Sequence, residues 1–269
     1  MAKGLRSRNQ NLPAPRDSLR IGCVKYLNAR PLIHGWPGQV TFDHPSALCE
    51  QLARGKLDMA LVSSFEFLRN PIYRIVDDVS ISSDGPVYSV IIAYRGELSD
   101  LEQIQLDPAA ATSVNLLRCL LSEANLHPRF VSESVAPITK SCGQLLIGDQ
   151  AIRLRRNHES ELSVWDLGEQ WRTLISLPFV YALWLVRPEM RDVEAIADRL
   201  RALRNSNLNR IDDLIDSQAD FDAAFCKRYY HQHLRFNFGE NEKRGLRAFQ
   251  KLCEKHGLLP KREVAFNLI

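Results

Sequence analysis

The stretch YSVIIAYR, Tyr88–Arg95, decides how the rest of the chain is read. It is an apolar run of strand length, and it stands between two segments that each alternate strands with helices. Upstream, Leu19 to Tyr26 reads as a strand, VTFDH as another, and SALCEQLARG as a helix capped by Ser46. LDMALVS is then a buried strand, SFEFLRN a short helix that Ser64 can cap, and YRIV a further strand. From Leu98 the pattern starts again with IQLD, a long amphipathic segment from Thr112 to Asn125, PRFV, QLLIGD and SVWDL. YALWLVR, Tyr181–Arg187, closes this second unit, and everything after Pro188 reads as helix.

A chain that leaves one lobe and returns to it must cross twice, and YSVIIAYR and YALWLVR are the two crossings this order offers. The expected architecture is α/β and two-lobed, with a ligand cleft between the lobes and a helical C-terminal region. Residues 19–95 with 179–269 are expected to form one lobe and 96–178 the other, and 1–18 to be a flexible tail.

Composition narrows the function. With 269 residues, 45% of them hydrophobic and 25% charged, the chain reads as globular. The net charge of +3 gives no footprint for nucleic acid or an acidic membrane, and it is compatible with a small anionic ligand. Six scattered cysteines show no metal spacing and are expected reduced and mostly buried. His231 and His233, two apart, fall on different helix faces, so no metal is expected. The first eighteen residues lack the apolar run of a secretory signal, which points to the cytoplasm. Nucleotide-binding and hydrolase glycine motifs do not occur.

What remains is a set of polar residues just past strand ends, where the free N–H groups of a following helix attract carboxylates. They are Tyr26, Asn28 and Arg30 ahead of Pro31; Ser63 and Ser64; Thr112 and Ser113; and Gly148 to Gln150. Ser89 lies on the crossing itself. Any one of these alone is an ordinary turn or cap, but their shared position at strand ends points to one anion site. Asp149 stands apart, a carboxylate among groups that favour anions, and in a cleft it suits an acid, a base or an orienter.

YLNARPL, LDMALVSSFEFL, DGPVYSV, LLIGDQA, WDLGEQW and LPFVYALWLVR occur in this order. Together they resemble the menaquinone-biosynthesis family of the futalosine route, which includes chorismate dehydratase. The resemblance runs from Leu19 to Leu259. It implies a fold like that of type II periplasmic solute-binding proteins, and a lyase that removes water from chorismate without cofactor or metal. It also implies that Asn28, Ser89 and Asp149 surround the reacting ring and that Thr112 and Ser113 bind a substrate carboxylate. Tyr26, Arg30, Ser64, Gly148 and Phe179 complete the expected contacts. Asp149 and a carboxylate of the substrate are both candidates for the base. The chain departs from the family pattern at Ala111, where an arginine is usual, and at Ile175-Ser176, where threonine-glycine is usual and a reshaped cleft floor is expected. These departures motivate an alternative, a non-catalytic protein that binds or senses a small carboxylate. The sister enzyme of the same route, which cyclises a dehypoxanthinyl futalosine, is matched less well.

Overall fold

A computed structural model of the chain describes residues 19–107, 110–132, 137–158, 161–216 and 220–269. The expected tail, 1–18, lies outside the described residues.

Two five-stranded sheets carry the fold. The first comprises β1 (Ile21–Cys23), β2 (Val40–Phe42), β3 (Met59–Ser63), β4 (Arg74–Ser83) and β10 (Phe179–Val186), in the order β2-β1-β3-β10-β4. The second comprises β5 (Val90–Tyr94), β6 (Gln103–Gln105), β7 (Arg129–Val131), β8 (Cys142–Ile147) and β9 (Ser163–Asp166), in the order β7-β6-β8-β5-β9. The two orders share one plan. Three parallel strands are followed by an antiparallel strand, β10 or β5, that arrives from the other half of the chain. Both of these strands are interior to their sheets, which is why they read as nearly unbroken apolar runs.

The pairing moves one expected boundary. Val90–Tyr94, assigned above to the first lobe, hydrogen-bonds to β8 and β9 in the second sheet. The crossing therefore falls just before Val90, in the turn-rich residues 84–89. A strand's own apolar pattern does not say which sheet it will join; its partners do.

Helices pack on both sheets: α1 (Arg30–Ile33), α2 (Pro45–Ala53), α3 (Ser64–Arg69), α4 (Ala111–Glu123), α5 (Gly148–Asn157) and α6 (Leu167–Ile175). After β10 come α7 (Glu194–Asn209), α8 (Ile211–Asp216), α9 (Ala223–Arg228), a π-helical turn at Tyr229–His233, and α10 (Glu240–Lys255). The C-terminal part is not purely helical. Arg235 bridges to Ser82, and the final residues pair with Ile75, where Ile75 N–H donates to Asn267 O at 2.8 Å. Ser46 and Ser64 cap nothing. Pro45 opens α2 behind His44, and the Ser64 hydroxyl donates to Val180 O at 2.7 Å. Ser176 ends α6 in the left-handed conformation, φ 60°, so the usual glycine belongs to a helix C-terminus and not to a cleft floor.

All six cysteines are free and buried, as expected. The main apolar core is continuous across both lobes, and Trp171, Phe179 and Phe249 meet edge to face within it, Phe179 lying 5.0 Å from Trp171 and 4.9 Å from Phe249. α10 reaches this cluster because Gly245 lets its backbone lie against the approach to β10. A Cβ there would stand 2.0 Å from Pro178 O, a backbone atom that cannot move aside. Gly245→Ala is therefore expected to destabilise the protein by roughly 3 kcal/mol, at the upper end of overpacking costs, read as a lower urea midpoint at unchanged m-value.

Candidate active site

Between the two sheets lies a cavity of about 620 Å³, its mouth included. Its walls are apolar, with Val24, Leu61, Val62, Ile81, Val90 and Ile147 among them, and no Asp, Glu, His, Lys or Arg lines it among the described residues. Polarity enters at a few points: Tyr26, Asn28, Ser63, Ser89, Thr112, Ser113 and Tyr181. This combination of apolar walls and a few placed polar groups is typical of small-molecule sites.

Asn28 is delivered by a single 3-10 turn, Leu27–Ala29, that runs into α1 with Pro31 in its first turn. The turn is held from both sides. Leu27 N–H donates to Asp149 Oδ1 at 2.9 Å, and the Tyr230 hydroxyl donates to Leu27 O at 2.9 Å. The Asn28 side-chain oxygen is buried and has no hydrogen-bond partner among the described residues. Native proteins seldom leave a buried acceptor unpaired, so this amide oxygen stands out as a group kept for a ligand.

Asp149 itself does not line the cavity. It lies behind the wall, half-buried, where desolvation pushes its carboxyl above the ordinary range; the Leu27 N–H bond and the charges of Arg153 and Arg30 partly oppose that shift. Arg30 is also outside the lining and sits near Asp149 and Tyr230. Its guanidinium thus tunes the groups behind the wall. Tyr26, which does line the cavity, has its phenol pushed up to about 12, by burial first and then by Asp107 and Asp149, and remains a donor at neutral pH.

Ser89 is placed by the crossing between the sheets. Asp166, buried at the end of β9, accepts from Val87 N–H at 3.0 Å and Tyr88 N–H at 2.8 Å. The same carboxylate caps α6 through Gly168 N–H and Glu169 N–H, and receives Arg155 at 3.2 Å. Tyr88 adopts φ 68°, rare for a bulky residue, with the Arg155 guanidinium 4.1 Å above its ring. The next residue, Ser89, has its hydroxyl at the cavity, where Oγ accepts from the Tyr229 hydroxyl at 2.6 Å. Ser89 O also accepts from Gly148 N–H at 2.8 Å. Gly148 is required there: φ is 57°, and a Cβ would meet the Tyr26 ring at 2.9 Å.

The start of α4 forms the third polar edge. The N-cap, Ala110, makes no side-chain cap among the described residues, and Ala110 to Ser113 at the helix start all line the cavity. The Thr112 hydroxyl is engaged within the protein: it donates to Tyr181 O at 3.1 Å, accepts from Phe65 N–H at 3.2 Å and meets Ser63 Oγ at 2.5 Å. It pins α4 to the first sheet. Ala111 lines the cavity, so the departure from arginine falls in the site and leaves it without a cation.

Of the expected site residues, Tyr26, Asn28, Ser89, Thr112, Ser113 and Gly148 are brought together on one cavity. Ser64 and Phe179 lie in the packed interior, and Arg30 and Asp149 behind the wall. Asp166, Tyr229 and Tyr230 were not singled out from the sequence. Asp166 falls there within SVWDL, a segment read only as part of the second α/β unit, and the two tyrosines are far in sequence from the groups they hold.

The model of the menaquinone biosynthesis family matches residues 19–255. A chorismate dehydratase from Thermus thermophilus is 30% identical over 253 residues, covering 85% of this chain and 93% of that protein. A second, from Campylobacter jejuni, is 23% identical over 231 residues, covering 85% and 91%. Among solved structures, a protein from Archaeoglobus fulgidus superposes with TM-score 0.69 at 19% identity, covering 90% of this chain and 98% of that one. The periplasmic aliphatic sulphonate binding protein from Escherichia coli gives 0.61 at 13%, covering 90% and 94%. At these identities the structures speak for the fold alone, and the fold is that of periplasmic binding proteins, as expected. With the family model spanning both sheets and the helices that follow them, this chain belongs to the menaquinone biosynthesis family.

Proposed function

We propose that the chain is a chorismate dehydratase, a carbon-oxygen hydro-lyase that converts chorismate to a benzoate bearing an enolpyruvyl ether. The observation that carries this reading is the convergence of the unpartnered Asn28 amide oxygen, the Ser89 hydroxyl and the uncapped start of α4 on one cavity. The reading is supported further by relatives of that name that match most of the chain.

The reaction needs the substrate held still, a proton removed from the ring carbon bearing the ether, and hydroxide released from the neighbouring carbon. The C–H electron pair becomes the third ring double bond, the C–O pair leaves with oxygen, and the released hydroxide takes up a proton to become water. Aromatisation drives the step. In this reading the ring carboxylate lies at the α4 start, where aligned N–H groups take the place of the missing arginine. Asn28 and Ser89 flank the ring: the Asn28 amide oxygen accepts from the ring hydroxyl and orients it, and the Ser89 hydroxyl donates to the oxygen of that hydroxyl as it leaves. No carboxylate or imidazole lines the cavity among the described residues, which favours the enolpyruvyl carboxylate of the substrate as the base. Asp149 is then a positioning residue that holds the Leu27–Asn28 turn.

Mixing the purified protein with chorismate is expected to produce a benzoate-type ultraviolet spectrum without added cofactor. Thermal stabilisation by chorismate with no spectral change would instead identify a binding protein. Ser89→Ala and Asn28→Ala are each expected to lower kcat by about a hundredfold, as loss of a placed donor or acceptor does. Asn28→Ala should also leave the melting temperature unchanged or higher, because an unpaired buried acceptor costs about 1–3 kcal/mol. A fall in stability parallel to the loss of activity would argue against this role.

The raised carboxyl of Asp149 gives a linked expectation. Burying the charged form costs stability at neutral pH, and that cost disappears as pH falls and the carboxyl takes up its proton. Asp149→Asn should therefore melt higher than the parent at neutral pH, with the gap closing as pH drops toward the ordinary carboxylate range. Paired melting curves across that range check it, and a gap that widens on acidification would contradict the direction of the shift.

A further inference from the structure

Tyr229 lies in the π-helical turn after α9. Its ring is fully buried and stacks on Phe225 with centroids 5.7 Å apart and planes 12° from parallel. Its hydroxyl donates to Ser89 Oγ at 2.6 Å. That bond occupies the acceptor side of the Ser89 hydroxyl and leaves its proton free to be donated. Among the described residues Ser89 Oγ has no second partner, and Ser89 lines the cavity. A hydroxyl that accepts one hydrogen bond is polarised to donate another more strongly.

We propose that Tyr229 is a positioning residue for the dehydration: its phenol fixes Ser89 Oγ as a donor aimed into the cavity, at the hydroxyl that leaves the ring. The inference rests on the dehydratase reading and extends it to a residue 140 positions away in sequence. No proton need pass along the chain. The relay donates hydrogen bonds as the C–O bond breaks and ends as it began. The surroundings keep it in that state, since burial above all pushes the Tyr229 phenol well above its ordinary value, Asp149 and Asp166 push the same way, and the Ser89 bond only partly opposes them. Tyr181, Tyr230 and His233 are the other titratable groups near the ring. π-turns recur at functional sites, and here one such turn sends Tyr229 to Ser89 and Tyr230 to the Leu27 carbonyl, so a single segment holds both polar walls of the cavity.

Tyr229→Phe removes the hydroxyl and keeps the ring. It is expected to lower kcat about tenfold with KM nearly unchanged, as loss of one hydrogen bond acting in the transition state would. The Ser89→Ala/Tyr229→Phe double variant should be no slower than Ser89→Ala alone, because the two groups act as one unit. Placing 3-fluorotyrosine at position 229 keeps the shape with a more acidic phenol, a stronger donor to Ser89 Oγ, and should raise kcat with KM nearly unchanged; this variant decides the matter if Tyr229→Phe does not fold. Additive losses in the double variant, or a kcat that the more acidic phenol fails to raise, overturn the proposal. The two readings fail separately. If Ser89→Ala slows turnover and Tyr229→Phe does not, the relay alone is wrong; if Ser89→Ala turns over at the parent rate, the role of Ser89 in the dehydration falls with it.

Discussion

The buried carboxylate of Asp166 is the constraint on which the rest of the site depends. It accepts N–H groups from Val87 and Tyr88 on the crossing between the sheets and from Gly168 and Glu169 at the start of α6, while Arg155 supplies the countercharge. Hydrogen bonds to a charged acceptor are worth about 1.5–3 kcal/mol each, and a buried carboxylate without them would be strongly unfavourable. This anchor sustains the left-handed backbone of Tyr88, and that backbone in turn points Ser89 at the cavity. Gly168 makes the close fit feasible, since a Cβ at this position would lie 2.5 Å from Gly85 O.

A second principle of the site is that charge is kept out of the cavity and placed behind it. Asp149, Arg30 and Arg155 all lie outside the lining, while the lining presents hydroxyl-bearing side chains, one amide and the start of α4. In a low-dielectric space such fixed dipoles interact strongly with a ligand charge and need no reorganisation when it arrives. Ala111 fits this pattern. A guanidinium there would add a charge-assisted contact; in the proposed reading the start of α4 takes up anion binding in its place.

The lobes are joined by more than their two crossings. Thr112 pins the start of α4 to β3, α3 and β10, Asp149 ties α5 to the Leu27 turn, and α10 fills the angle against β10 through Gly245. These contacts account for a continuous core across both lobes. They also explain why hydroxyls expected to meet a ligand, those of Ser64 and Thr112, are consumed within the protein. Serine and threonine at strand ends serve interdomain packing as readily as binding, and only their partners distinguish the two uses.

The sequence by itself determined the layered α/β character, the two crossings, the helical C-terminal region and most of the cavity's polar points. Apolar periodicity and strand-end polarity are local properties, and Tyr26, Asn28, Ser89, Thr112, Ser113 and Gly148 are each marked by them. Tertiary structure alone decided that Val90–Tyr94 joins the second sheet, that the last residues pair with β4, and that Ser64 and Phe179 belong to the interior. It alone brought Asp166, Tyr229 and Tyr230 to the site. Each of these depends on a partner distant in sequence, such as Tyr229 to Ser89, Tyr230 to Leu27 or Asp166 to Val87, and no pattern within one segment records which distant group will satisfy a buried donor or acceptor.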